Sequence, residues 1–259
     1  MITKNISCII PTHNRDEYLI EAIYSAINQT YPPVEIIISD NIPSKNTELL
    51  IEGIAKKSTV PIFYLGHNMK GKSSISMNLA VSRSRGDYIA FLNDDDVWEI
   101  DYLKKVSNLI AEKKSKIIYT WFIDWHNDTK YKGKQIERNL KINDFLLRNP
   151  GCVISNLVVK RKIFIGLGGF DEYVHPSNDK DFIIRALYYG YTYDVLSDNL
   201  VLLRRHANGR EADINKDFLI GMKKFFKKHE FNAGLKIKLK FWYKYWKLYI
   251  KATVLLNNK

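Results

Sequence analysis

The sequence predicts an α/β fold: a mostly parallel central sheet flanked by helices, followed by a basic amphipathic helical extension. Three observations carry this. Short apolar runs alternate with amphipathic helical patterns through the first hundred residues, the signature of parallel strands joined by helical crossovers. The runs near Thr12, Asp40 and Asp94 all end in polar or acidic residues, and in such sheets ligands collect at the carboxyl ends of strands. The charge is also unevenly placed. The 259 residues carry a net +12, and eleven lysines against the single acid Glu230 put +10 of it in residues 221–259.

Taken in order, Ile6 to Ile10 is a first strand, stopped by Pro11. Asp16 is placed to N-cap a helix to about Gln29, with Leu19, Ile23, Ala26 and Ile27 on one face. Val34 to Ser39 is a second strand ending in Asp40, Asn46 to Lys57 a second helix, and Ile62 to Leu65 a third strand. Gly71 and Lys72 precede a helix over Ser73 to Ser84, and a fourth strand, Tyr88 to Leu92, runs into three aspartates. A helix over Asp101 to Lys113 and a strand over Lys116 to Trp125 follow. Residues 126–140 read as a hairpin or loop, Asp144 to Arg148 as a short helix, and Val153 to Lys160 as a strand. Ser177 to Tyr189 is helical, and Tyr191 to Leu196 and Asn199 to Arg205 read as two last strands.

With 46% hydrophobic and 26% charged residues, a disordered chain is excluded. No apolar run reaches the roughly 18 residues of a spanning helix. The first residues are strand-like and do not read as a signal peptide, so a cytoplasmic location is expected. Cys8 and Cys152 are too few for a disulfide framework or a zinc site and read as reduced core residues.

The densest chemistry lies in RGDYIAFLNDDDVW, Arg85 to Trp98. A buried strand here delivers Asp94, Asp95 and Asp96 to a rim, and their mutual repulsion must be offset. A hard divalent cation, Mg²⁺ or Mn²⁺, shared with substrate phosphates would do so. A solvated acidic turn capping the next helix is the other reading.

PTHNR at 11–15, SDN at 39–41, the block from Gly71 to Trp98, GGFDE at 168–172, NDKD at 178–181 and RRH at 204–206 together resemble family 2 nucleotide-sugar glycosyltransferases of GT-A fold, over about residues 5–210. The resemblance implies an inverting transfer from a nucleoside-diphosphate sugar, a UDP-sugar by preference, to an acceptor hydroxyl. It implies a domain over 1–212, with 1–100 holding the donor and 101–212 the acceptor, and a separate tail over 213–259. By position, Pro11, Thr12 and Arg15 line the base pocket and Asp40 accepts from the uracil ring. Asn93 and Asp94 lie along the ribose and diphosphate, Asp95 holds the metal, and Asp179 is the general base. Lys72, near a helix start, touches the diphosphate or is solvated, and His206 completes the metal shell, contacts the diphosphate or is simply packed. Gly168 and Gly169 shape the acceptor floor. The family's usual acids are replaced by Ser39, Asn93 and Asn178. Asp181 is a rival base, although on a helix it points about 200° away from Asp179.

On a helical wheel of about 100° per residue, Leu235, Leu239, Trp242, Trp246, Tyr249 and Ile250 share one face. Lys236, Lys240, Lys244, Lys247 and Lys251 form an adjoining stripe. Such a helix suits the surface of an anionic membrane, which would hold the protein beside a lipid-linked acceptor. The resemblance implies that this acceptor is a glycan or lipid-linked oligosaccharide of bacterial surface polysaccharide, at the inner face of the cell membrane. The acidic rim argues against nucleic acid as partner. Packing of the helix on the catalytic domain is the alternative for the tail. For the whole chain, the alternatives are a metal-dependent nucleotidyltransferase and a non-catalytic sugar-nucleotide or glycan binder.

Overall fold

The strands β1 (Ile6–Thr12), β2 (Glu35–Asp40), β3 (Ile62–Gly66) and β4 (Tyr88–Phe91) are joined by helices α1 (Asp16–Ile27), α2 (Lys45–Ala55) and α3 (Ser73–Arg83). They pair in parallel in the order β3-β2-β1-β4. A computed structural model describes residues 5–69, 73–126, 129–205 and 216–257. After β4 come β5 (Val97–Trp98), α4 (Tyr102–Lys113), β6 (Ile117–His126), β7 (Thr129–Lys132), α5 (Ile142–Leu147), β8 (Leu157–Lys160), α6 (Arg161–Gly166), α7 (Asn178–Tyr188) and β9 (Asp194–Arg204). Two further helices, α8 (Lys216–His229) and α9 (Leu235–Asn257), complete the described chain. β8 runs antiparallel to both β4 and β6, β6 and β9 are parallel, and β5 closes the far edge against β9. The sheet is therefore parallel in its first half and mixed in its second.

Helices α1, α2 and α4 cover one face, where Ile10, Ile23, Ile38, Tyr102 and Val106 are buried together. On the other face α3, α6 and α7 bury Met77, Phe164 and Phe182 against Ile9 and Phe91. α8 and α9 join this second layer, with Phe226 and Phe241 stacked at 3.6 Å between ring centroids. α8 comes close enough to the loop before α7 that a Cβ at Gly221 would strike the His175 carbonyl.

Several local expectations change for identifiable reasons. Pro11 stays inside β1, pairing with Ser39. The ladder to β4 has already ended at Ile9, so a residue without an N–H is tolerated there. Arg15 rather than Asp16 precedes α1, and Asp16 instead accepts from Thr47 Oγ1 at 2.8 Å, joining α1 to α2. Only Leu157–Lys160 of the expected Val153–Lys160 strand is extended. Asn156 bonds the Val153 N–H and the carbonyls of Thr120 and Gly151, which substitutes side-chain bonds for ladder bonds. The two expected last strands are one, β9, with its register against β6 broken around Thr120–Phe122. The extra residues that looked like a turn are absorbed as a bulge. Residues 126–140 do contain a hairpin, β6–β7.

Candidate active site

β1 and β4 are adjacent and parallel, so Thr12 and the segment after Phe91 emerge side by side. Thr12 Oγ1 donates to Asp94 Oδ2 at 2.8 Å, and the His13 N–H adds a longer bond at 3.3 Å. The Arg15 guanidinium reaches both carboxylates, 3.5 Å from Asp94 Oδ1 and 3.0 Å from Asp95 Oδ2. Burial pushes the Asp94 carboxyl up to about 6, and the Asp95 charge pushes the same way, against the pull of Thr12, Arg15 and the His13 N–H.

Asp96 turns away from this group. It accepts from Ser155 Oγ, from Asn93 Nδ2 at 3.2 Å and from the Arg204 N–H at 3.0 Å, tying β4 to β9 rather than capping the next helix. The same contact explains Asn93. An acid there would set a second carboxylate against buried Asp96, whereas an amide donates to it. Arg204 also donates Nε to the Asp95 carbonyl at 3.0 Å, pairs with Glu21 at 2.6 Å and stacks on Trp125 at 4.1 Å, which fixes the turn from behind.

A cavity of about 500 Å³ opens in front of these residues. It is lined by Pro11, Thr12, Arg15, Asn93, Asp94 and Asp95 from the ends of β1 and β4, and by His175, Asn178 and Asp179 from the loop before α7 and its first turn. Among the described residues no three His, Cys, Asp or Glu side chains gather around one point. A Mg²⁺-type cation does not require this, because it is commonly held by one or two carboxylates together with substrate phosphates and water. Asp94 and Asp95, two oxygen-donor side chains on the cavity wall, fit that donor set.

Asp179, on the same cavity, stands in the first turn of α7, which is anchored to α3 through Asn178 Nδ2 to Ser74 Oγ at 3.0 Å. Asn149 Nδ2 donates to Asp179 Oδ2 at 3.2 Å, and the Lys180 N–H donates to Oδ1 at 2.7 Å. Burial nevertheless outweighs these bonds and the Lys180 charge, pushing the Asp179 carboxyl up to about 6. Burial likewise brings Lys180 down to about 8. A carboxyl poised near neutrality, held from behind and open to a cavity, has the properties of a general base.

Asp181 is placed differently. It is fully buried and pairs with Arg185 at 2.8 Å, Lys228 at 2.7 Å and His229 at 2.8 Å. Burial acts to raise its carboxyl, but the His229 bond, Arg185 and Lys228 together bring it down to about 2. It is a structural tie between α7 and α8. Asp181→Ala is expected to destabilise the fold by about 3–5 kcal/mol, since it removes the carboxylate that Arg185 and the buried His229 ring share between α7 and α8. The contribution is present above the unfolded-state value near 3.8 and is lost as pH falls towards about 2. Urea unfolding of wild type and variant at pH 7 measures the loss.

Asp40 is not on the cavity wall. Its carboxylate accepts from Tyr64 Oη at 2.8 Å and from the Ile42 N–H at 2.9 Å, an Asx turn at the end of β2. The neighbouring Asn41 lines the cavity instead, bonded to His13 Nδ1 at 2.7 Å. Gly168 lies on a separate open groove with Leu167 and Phe170. Gly168 and Gly169 have positive φ, and Arg185 bonds the carbonyls of Leu167 and Gly169. Lys72 and His206 lie outside the described residues. Asn149, Ser155 and His175 were missed by sequence reasoning. Of these, only Asn149, ahead of Pro150-Gly151, had a local signal, that of a turn.

Residues 7–167 match the profile of Glycosyl transferase family 2. An uncharacterized glycosyltransferase of Methanocaldococcus jannaschii is 30% identical over 211 residues, covering 77% of this chain and 70% of the relative. The GalNAc(5)-diNAcBac-PP-undecaprenol beta-1,3-glucosyltransferase of Campylobacter jejuni is 27% identical over 146 residues, 55% of this chain and 47% of the relative. The chain thus spans about half the length of that second relative. Staphylococcus aureus TarS 1–349 in complex with UDP-GlcNAc superposes with a TM-score of 0.67 at 18% identity, over 91% of this chain and 69% of TarS. The α/β architecture with its helical extension is that of the GT-A fold. With more than half its length matched by the family profile, the chain belongs to glycosyl transferase family 2.

Proposed function

We propose that this protein is an inverting, metal-dependent glycosyltransferase. It moves a sugar from a UDP-sugar to a hydroxyl of a glycan or lipid-linked oligosaccharide in bacterial surface polysaccharide synthesis, at the inner face of the membrane. The observation that carries this reading is that Asp94, Asp95 and Asp179 line a single cavity. The donor side binds the nucleotide between Pro11, Thr12 and Arg15, with the diphosphate towards Asp94 and Asp95. Mn²⁺ or Mg²⁺ held at Asp95 would neutralise charge developing on the leaving diphosphate. On the acceptor side, Asp179 takes the hydroxyl proton as the oxygen attacks the anomeric carbon from the face opposite the leaving group. The bond to the diphosphate breaks, and the proton remains on Asp179 until solvent removes it.

The UDP preference is supported by the UDP-GlcNAc bound to TarS, and the lipid-linked acceptor by the undecaprenol-linked substrate in the name of the Campylobacter relative. The binding-module alternative drew on Asn93 and Asn178, but both have structural partners, Asp96 and Ser74. The test is a panel of UDP-sugars, with GDP-mannose beside them, followed by release of nucleoside diphosphate with Mn²⁺, with Mg²⁺ and with EDTA. Metal-dependent release from one UDP-sugar is expected. Release unchanged in EDTA would remove the metal, and thermal stabilisation by a nucleotide sugar without any release would favour a binder.

A further inference from the structure

α9 has two apolar faces, and among the described residues only one of them is covered. Phe241, Tyr245 and Ala252 are buried and lie within about 40° of one another on a wheel of about 100° per residue. They pack towards α8, with Phe241 stacked on Phe226. The second face is centred roughly 110° away on the same wheel. It carries Leu235, Leu239, Trp246, Tyr249 and Ile250, which are 74%, 62%, 55%, 44% and 60% exposed. Beyond it, on the side away from the packed face, the exposed Lys236, Lys240 and Lys247 form a stripe. Lys244 is diverted to the body of the protein, donating to the Leu147 carbonyl at 2.9 Å.

We propose that this second face is a docking surface for an anionic lipid bilayer. An open row of leucine, isoleucine, tryptophan and tyrosine bordered by lysines is the arrangement that sinks an apolar edge among acyl chains while ammonium groups meet lipid phosphates. The helix cannot cross the bilayer: among the described residues none is long and apolar enough. A second copy of the chain is a poorer match. α9 contains six lysines and no acid, so pairing its open face with itself brings like charges together. The docked helix is also firmly held. α8, on which it packs, is bonded through His229 and Lys228 to Asp181 of α7, the helix that carries Asp179. A bilayer on α9 therefore sets the orientation of the acceptor side of the cavity. The proposal rests on the membrane-side reading above for its purpose but not for its observations.

The test is co-sedimentation of the full chain with phosphatidylcholine vesicles, with and without phosphatidylglycerol. Binding is expected only to the anionic vesicles and to weaken with salt. Leu239→Ser combined with Trp246→Ser and Ile250→Ser should abolish it. Lys236→Gln with Lys240→Gln and Lys247→Gln should weaken it by roughly fivefold per lysine. All six side chains are exposed, so helicity and metal-dependent release of nucleoside diphosphate in solution should stay at wild-type levels. A failure of the catalytic reading would show in that release, and a failure of the docking surface only in sedimentation. Equal sedimentation with neutral vesicles overturns the proposal, as does undiminished binding in either variant. So does a dimer in light scattering that the serine variant dissolves, which would identify a second copy as the occupant.

Discussion

Asp179→Asn is expected to lower sugar transfer by about 10²–10⁴-fold while making the protein more stable at neutral pH. The two effects share one cause. In the unfolded chain this carboxyl ionises near 3.8, and in the fold burial lifts it to about 6. Below the lower value it is neutral in both states and the fold bears no penalty. Between the two values the unfolded chain has released the proton and the folded chain has not, so stability falls as pH rises. Above about 6 the penalty is complete, on the order of 3 kcal/mol. An amide removes the charge and the penalty but has a single oxygen, so it keeps the Lys180 N–H bond made to Oδ1 and loses the Asn149 Nδ2 bond made to Oδ2, which leaves the net gain below the full penalty. Urea unfolding at pH 7.5 should show the gain, and at pH 3.5 wild type and variant should converge. In the wild type, kcat/KM should rise with pH along a limb near 6, because only the ionised carboxylate accepts the hydroxyl proton. Near-normal turnover of Asp179→Asn would remove Asp179 from the reaction, whatever its effect on stability.

How far the sequence disclosed this arrangement depended on the range of the signal. The first four strands and three helices were legible because each is a local pattern of period 2 or 3.6, and their order implied a parallel sheet. Asp94, Asp95 and Asp179 were legible by resemblance, each within a short motif. The partner of each was not. Asn149 lies 30 residues from Asp179, and Ser155 lies 59 from Asp96. No periodicity reports contacts at such separations. Asp40 shows the converse. Its position at a strand end was right, yet Tyr64 on the neighbouring strand takes up its carboxylate, a pairing visible only once β2 and β3 are in register. The helical wheel of the tail found the open face, Leu235, Leu239, Trp246, Tyr249 and Ile250, but not the packed one of Phe241, Tyr245 and Ala252, because it cannot tell which face another helix will cover. Phe226, the residue that decides this, lies on α8.

Asp95→Asn should be the most damaging single change on the donor side, costing at least about 10³-fold in transfer. The resemblance assigns the cation to Asp95, and its two neighbouring aspartates are engaged by other groups. Asp96 is bonded away from the cavity by Ser155, Asn93 and Arg204. Asp94 is engaged by Thr12, the His13 N–H and Arg15, and burial together with its neighbour's charge holds it partly protonated near pH 6. Asp95 lines the cavity and pairs through Oδ2 with Arg15 at 3.0 Å. Neutralising it also relieves Asp94 of a like charge, so the Asp94 carboxyl should titrate lower and remain ionised at neutral pH, still paired with Arg15. The variant should therefore keep its fold while losing cation-dependent donor binding. Calorimetric titration of Mn²⁺ in the presence of UDP should show weakened binding, and thermal stabilisation by UDP should no longer depend on the metal. If Asp95→Asn turned over normally with unchanged Mn²⁺ dependence, the cation site would have to move to Asp94. Its pull towards protonation would then predict activity falling away below pH 6 through the donor side, a limb that Asp179→Asn would leave in place.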